Sequence, residues 1–129
     1  MQIHDEAVLL RRIPPEHVKG DGQGGLRITS QAFDPPYGGD GFSVYVEELL
    51  EAHGLHAEAV LDGHEGFGFV ALPASVIRAE NLMITLSPDE DDGPRGQAHA
   101  DVTGSLPTAV RRRLARAARV HRWPGTRAP

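Results

Sequence analysis

Apolar and polar residues alternate along several short runs of the chain. From Ala7 to Ile13 the run AVLLRRI predicts a strand that Pro14-Pro15 stops, since neither proline offers a backbone donor. In Leu26 to Phe33, Leu26, Ile28, Ser30 and Ala32 fall on one side of an extended chain and Arg27, Thr29, Gln31 and Phe33 on the other. Asp34-Pro35-Pro36 and Gly38-Gly39-Asp40-Gly41 then turn the chain into Phe42 to Val46, rich in aromatic and β-branched residues. These two runs are expected to form a hairpin with a wide loop. The period changes at Glu47, where Leu49 and Leu50 among Glu47, Glu48 and Glu51 predict a helix ending at His53, with Gly54 in the left-handed position.

The remaining runs are shorter. Ala57 to Leu61 suits one or two helical turns, and Phe67 to Leu72 reads as a strand whose Gly68 marks a bulge or a close backbone approach. Pro73 opens a short helix over Ala74 to Glu80, and Leu82 to Leu86 and Gln97 to Val102 are further strands. Between them Ser87 to Gly96 is charged and broken by Pro and Gly, which predicts an exposed, mobile loop. Lys19 to Gly25 reads as a flexible connection. The last helix is expected from Ser105 to about His121, with Val110, Leu114, Ala117, Ala118 and His121 on one stripe and Arg112, Arg113, Arg116 and Arg119 opposite. The expectation is one α+β domain over residues 1–122, with five or six short, mostly antiparallel strands and two or three helices, then a flexible tail over 123–129.

Charge changes this picture more than composition does. The net charge is −5, from thirteen basic and eighteen acidic residues, yet Ser105 to Pro129 holds seven arginines and no acid. Met1 to Gly104 therefore carries six cations against all eighteen acids, a net −12. Such asymmetry points to an acidic docking surface or a polyanion for the Arg111–Arg122 region. The chain has no cysteine, which excludes disulfides and thiolate chemistry. It has no apolar run of membrane-helix length and no leader pattern at its start, so a cytoplasmic location is expected.

Candidate chemistry is sparse. His53, His56 and His64 lie close in sequence but at spacings that do not converge on one element, and Asp89 to Gly93 lacks the alternating ligands of a calcium loop. Neither a metal nor a cofactor is expected. His99 and Asp101 share a strand face and could form an acid–base pair. Arg12, Arg27, Thr29, Ser30, Gln31 and Tyr45 would share a polar surface if the first strands paired. An arginine strand followed by a Thr-Ser strand resembles the opening of ADP-ribosyltransferase-type folds, which implies their Arg position at Arg12 or Arg27 and their Ser position at Ser30. Those folds also use a late catalytic glutamate, and no acid follows Asp101 here. The order RRIPPEHV, LRITSQAF, FSVYVEE, AHADVTG is similar to that of a family of small bacterial proteins over most of residues 9–104; that resemblance implies no activity.

The reading is a non-catalytic binding protein, an accessory or neutralising partner of another protein, with Arg112, Arg113, Arg116, Arg119, Gln31 and Tyr45 as its binding residues. One alternative is a small enzyme acting on a nucleotide or nucleic acid through Arg27, Ser30, His17 or His99. The other is nucleic-acid binding through the arginine-rich helix, each phosphate contact adding salt-dependent affinity.

Overall fold

Strand β1 (Val8–Ile13) runs through the middle of the molecule. In the computed structural model, which describes residues 3–35, 39 and 41–125, it pairs with β4 (Gly41–Val46) on one side and β5 (Gly68–Pro73) on the other. Beyond β4 come β7 (His99–Thr103) and β6 (Met83–Leu86), and beyond β5 comes β8 (Arg119–Arg122). All neighbours in this six-stranded sheet are antiparallel. A separate two-stranded hairpin joins β2 (Val18–Gly20) to β3 (Leu26–Ile28). The domain is α+β, as the alternation of short strands and short helical runs predicts, with eight strands among the described residues rather than five or six.

Both faces of the sheet are covered, because β1, β4 and β5 carry apolar side chains at odd and even positions alike. On one face Leu9, Ile13, Val44, Val46, Val70, Leu72 and Val102 pack under Phe33, Ile77 and Leu114. Those last three come from the 3₁₀ turn Ser30–Phe33, helix α2 (Ala74–Arg78) and helix α3 (Thr108–Ala117). Phe33 meets Phe42 edge to face, centroids 5.3 Å apart. A smaller cluster on the other face joins Leu10, Tyr45, Phe69 and Ala71 to Leu50, Val60 and Ala98. Helix α1 (Glu47–Ala52), the 3₁₀ segment Ala57–Leu61 and the stretch Glu90–Ala98, two 3₁₀ turns broken by a kink at Asp92-Gly93, cover it. Helix α1 ends as its sequence indicates, with Gly54 at φ +74°.

Four expectations change. Leu26–Phe33 does not continue as a strand or pair with Phe42–Val46. β3 ends at Ile28 and pairs with β2, and the chain then closes a 3₁₀ turn that drops Ala32 and Phe33 into the core. Lys19–Gly25 is a tight reversal in which Asp21 Oδ1 accepts from the N–H groups of Gln23 and Gly25 at 2.7 and 3.0 Å. Ser87–Gly96 is not a loose loop: its Asp92 and Arg95 are tied to the body, and Gly96 is buried. The last helix stops at Ala117. Ala118 adopts φ −66°, ψ 131°, and Arg119–Arg122 becomes a strand, because the free edge of β5 and a core site for Val120 outweigh the helix preference of an Ala/Arg run.

Gly68 meets both halves of its expectation. The β5–β8 register shifts at Phe69/Val70, and a Cβ on Gly68 would lie 2.0 Å from Arg122 O. Of the tail expected over 123–129, Trp123 packs against the core and Gly125 N donates to Gly66 O at 2.8 Å. Residues 126–129, with Arg127, lie outside the described residues, as do residues 36–38 and 40 of the expected turn.

Candidate binding groove

The 3₁₀ turn Ser30–Phe33 forms one wall of an open groove of about 820 Å³, and α3 with the start of β8 forms the other. The hairpin β2–β3 supplies a third side through Lys19 and Arg27. Arg112 and Arg116, one turn apart on α3, line the groove together with Ser30, Gln31 and Trp123. Lys19, Arg27, Arg112, Arg116 and Gln31 are exposed, and no carboxylate or imidazole is among the described residues lining the groove.

Residues next to the groove fix the turn and the helix that line it. Arg11 reaches from β1 between sheet and turn: Nε donates to Ala32 O and Nη1 to Ser43 O, each at 2.8 Å. Its guanidinium lies 4.9 Å from the Phe42 ring centroid. Burial, and then the neighbouring Arg12 charge, bring its pKa down to about 10. On the α3 side Arg111 pairs with Asp34, just past the turn, and donates to Leu106 O at 2.9 Å and Thr108 Oγ1 at 3.1 Å. Thr29, buried at the foot of the turn, donates its N–H and hydroxyl to His17 O at 2.9 and 3.2 Å.

Helix α3 therefore divides its arginines by task. Arg111 is committed to Asp34, and Arg113 forks onto Glu80 with contacts of 2.8 and 2.7 Å. That pair holds the Glu80 carboxyl below its ordinary range and raises Arg113. Arg112 and Arg116 form no ion pair with a described residue, and neither do Lys19 and Arg27. Four cations without carboxylate partners among the described residues thus line one cleft in a chain of net charge −5.

The expected site residues separate into two groups. Arg27, Ser30, Gln31, Arg112 and Arg116 come together in the groove, although they were assigned from different parts of the sequence. Arg113 is turned to Glu80, and Arg119 lies on β8 with Nη2 3.3 Å from His121 Nε2. His17 sits behind the groove; its buried Nδ1 has no partner among the described residues. Tyr45 and His99 lie on the other face of the sheet, with ring centroids 5.6 Å apart. His99 Nδ1 is 2.8 Å from Ser87 Oγ and 3.0 Å from Ser87 O, so it is engaged by Ser87, and no hydrogen bond joins it to Asp101. Arg12 accompanies Tyr45, and the polar surface expected of Arg12, Tyr45 and residues 27–31 is split by the sheet.

Around Tyr45 the polar groups are paired with one another. Its hydroxyl donates to Asp92 Oδ2 and accepts from Arg12 Nη1 at 3.4 Å, while Arg95 Nε donates to Asp92 Oδ1 at 2.9 Å. Arg95 Nη1 also donates to Ala59 O and Asp62 O at 2.9 and 2.7 Å, and Arg12 Nη1 to Val60 O at 3.1 Å. Burial alone would raise the Asp92 carboxyl; the hydrogen bonds from Tyr45 and Arg95 outweigh it and hold the carboxyl below its ordinary value. These contacts fasten the segment Glu90–Ala98 and leave little donor capacity for a ligand. Nearby, a wider depression of about 940 Å³ sets Glu58, Asp62 and Glu65 beside His64 and Arg122. Its three carboxylates outnumber the single guanidinium, so the depression is net acidic and does not suit an anionic ligand.

Lys19, Trp123 and Arg11 were not singled out from sequence. The Asp21-Gly22-Gln23-Gly24 turn could have revealed the hairpin that sets Lys19 beside Arg27. Arg11 sits among core residues of β1 without any local sign of its role. No cluster of three or more metal-ligating side chains occurs among the described residues. No helix of the described residues is long and apolar enough to cross a membrane. No family model, no curated protein and no solved structure matches the chain.

Proposed function

We propose that the protein is a non-catalytic binding protein, an accessory or neutralising partner that takes an acidic segment of another protein into the groove between the Ser30–Phe33 turn and α3. The observation that carries this is the set of four cations, Lys19, Arg27, Arg112 and Arg116, facing one cleft without ion-pair partners among the described residues. Guanidinium forks grip carboxylates and other planar or tetrahedral oxyanions in two-point contacts, so the ligand chemistry is anionic. The described lining residues include no carboxylate or imidazole to move a proton, which supports binding rather than turnover.

Net charge favours a short anionic segment over a long polyanion. A nucleic acid extending past the groove meets a body whose first 104 residues carry −12, and that repulsion grows with the length bound. The test is calorimetric titration with an oligoglutamate peptide at low and high salt, comparing the protein with its R112A/R116A variant. Saturable binding that weakens at least tenfold in the variant, and weakens with salt, is expected. Equal binding by both proteins, or none by either, would refute the assignment.

A further inference from the structure

Lys19 and Arg27 are direct cross-strand partners in the β2–β3 hairpin, so two cations stand opposite each other on a ribbon of only three paired positions. Like charges in that arrangement repel and weaken the hairpin. Arg112 and Arg116 repeat the conflict on α3, where residues four apart are neighbours on the helix surface. Both pairs line the same groove, and no carboxylate among the described lining residues relieves either. The chain has eighteen acids and uses them elsewhere to neutralise arginines, at Asp5–Arg78, Asp34–Arg111, Glu80–Arg113 and Asp92–Arg95. None of the four groove cations has such a partner among the described residues.

A single carboxylate balances one of the four charges and offers two oxygens. A phosphate monoester carries close to two negative charges and three terminal oxygens, which suits donors arriving from three directions: hairpin, turn and helix. The Ser30 hydroxyl and Gln31 amide add neutral donors on the turn side, and neither competes by bringing negative charge. Resting on the binding reading above, we propose that the group recognised in the groove is a phosphate monoester dianion on a phosphorylated segment of the partner protein, bridging the Lys19–Arg27 pair and the Arg112–Arg116 pair. Binding then removes two repulsions at once and stiffens the hairpin against α3.

Two measurements test this. The first compares affinity for a phosphoserine peptide flanked by glutamates with that for the same peptide carrying glutamate in place of phosphoserine. The expected result is at least tenfold tighter binding of the phosphopeptide, reduced to parity in R112A/R116A and in the second variant, R27Q. Equal affinity for the two peptides overturns the phosphate assignment and leaves acidic-segment binding standing; failure of both to bind overturns both. Tighter binding of oligothymidylate or of a free nucleoside monophosphate than of the phosphopeptide also overturns it, and points to a nucleic acid or a small phosphate ester.

The second is thermal unfolding in phosphate-free buffer with and without inorganic phosphate. The K19T variant, which removes one charge of the facing pair, is expected to melt higher than the unaltered protein without phosphate and to gain less from its addition. A lower melting temperature for K19T without phosphate, or an undiminished gain with it, overturns the proposal.

Discussion

Arg11 Nε donates to Ala32 O across 2.8 Å, and through that bond the central strand of the sheet sets the position of the turn that walls the groove. The side chain is enclosed, has no carboxylate partner among the described residues, and divides its donors between Ala32 O and Ser43 O. A buried cation held only by two carbonyls and the Phe42 ring is costly to create, and its removal leaves two acceptors unpaired.

Replacing Arg11 by methionine keeps much of its length and discards both hydrogen bonds. The expected loss is about 2 kcal/mol or more of unfolding free energy, read as a lower urea midpoint. Lysine keeps the charge, but its donors sit on one nitrogen rather than on the separate Nε and Nη1 that reach the two carbonyls, so R11K should recover less than half of it. An R11M protein as stable as the original would show that the turn is held by Phe33 packing alone.

Tyr45→Phe removes the hydroxyl shared by Arg12 and Asp92 while keeping the ring in its buried site. A loss of about 1–2 kcal/mol is expected, with faster proteolytic cleavage after Arg95, because Asp92 is the contact that draws its segment onto the sheet. Unchanged cleavage would assign that role to the Arg95 bonds with Ala59 O and Asp62 O instead.

Gly68→Ala places a methyl group within 2.0 Å of Arg122 O and 2.6 Å of Pro124 N. Backbone cannot move aside as a flexible side chain can, so β8 must shift, at a cost of about 1–3 kcal/mol. Because Val120 and Trp123 line the groove, the same variant should weaken binding of an acidic peptide although Gly68 does not touch it. Tight binding with low stability would mean that β8 is dispensable to the groove.

Acid should destabilise the fold beginning just below neutrality. His64 is held below its ordinary 6.5 by burial and then by the Arg12 and Arg95 charges, with Asp92 opposing. His17 is lowered by burial, with Glu16 opposing and Arg11 adding. With folded values below 6.5, the unfolded chain takes up protons that the folded chain refuses, so this stability is complete above 6.5 and is withdrawn as the pH falls through and below it. Melting temperature should therefore drop between about pH 7.5 and about pH 5, and H64Q and H17Q should each flatten the slope. A slope untouched by both variants would place the acid sensitivity in other groups.

Local pattern made much of the architecture legible. The strands at Val8–Ile13, Gly41–Val46 and Met83–Leu86, the helix after Val46 and its stop at Gly54 follow from side-chain periodicity and backbone restriction, which act over a few residues. Where the expectation failed, a distant partner decided. Arg119–Arg122 is strand because β5 has an open edge, and Asp92 is anchored because Tyr45 faces it from 47 residues away.

The site divides in the same way. Residue types and their order determined that the chain separates its charge, lacks thiol chemistry and carries an arginine-rich segment after Ser105. Only tertiary structure decided which arginines are spent on Asp34 and Glu80 and which face the groove with Lys19 and Arg27. The physical reason is that charge is a property of a residue, whereas an unpaired charge is a property of its surroundings, and those are assembled from segments that meet only when the sheet closes.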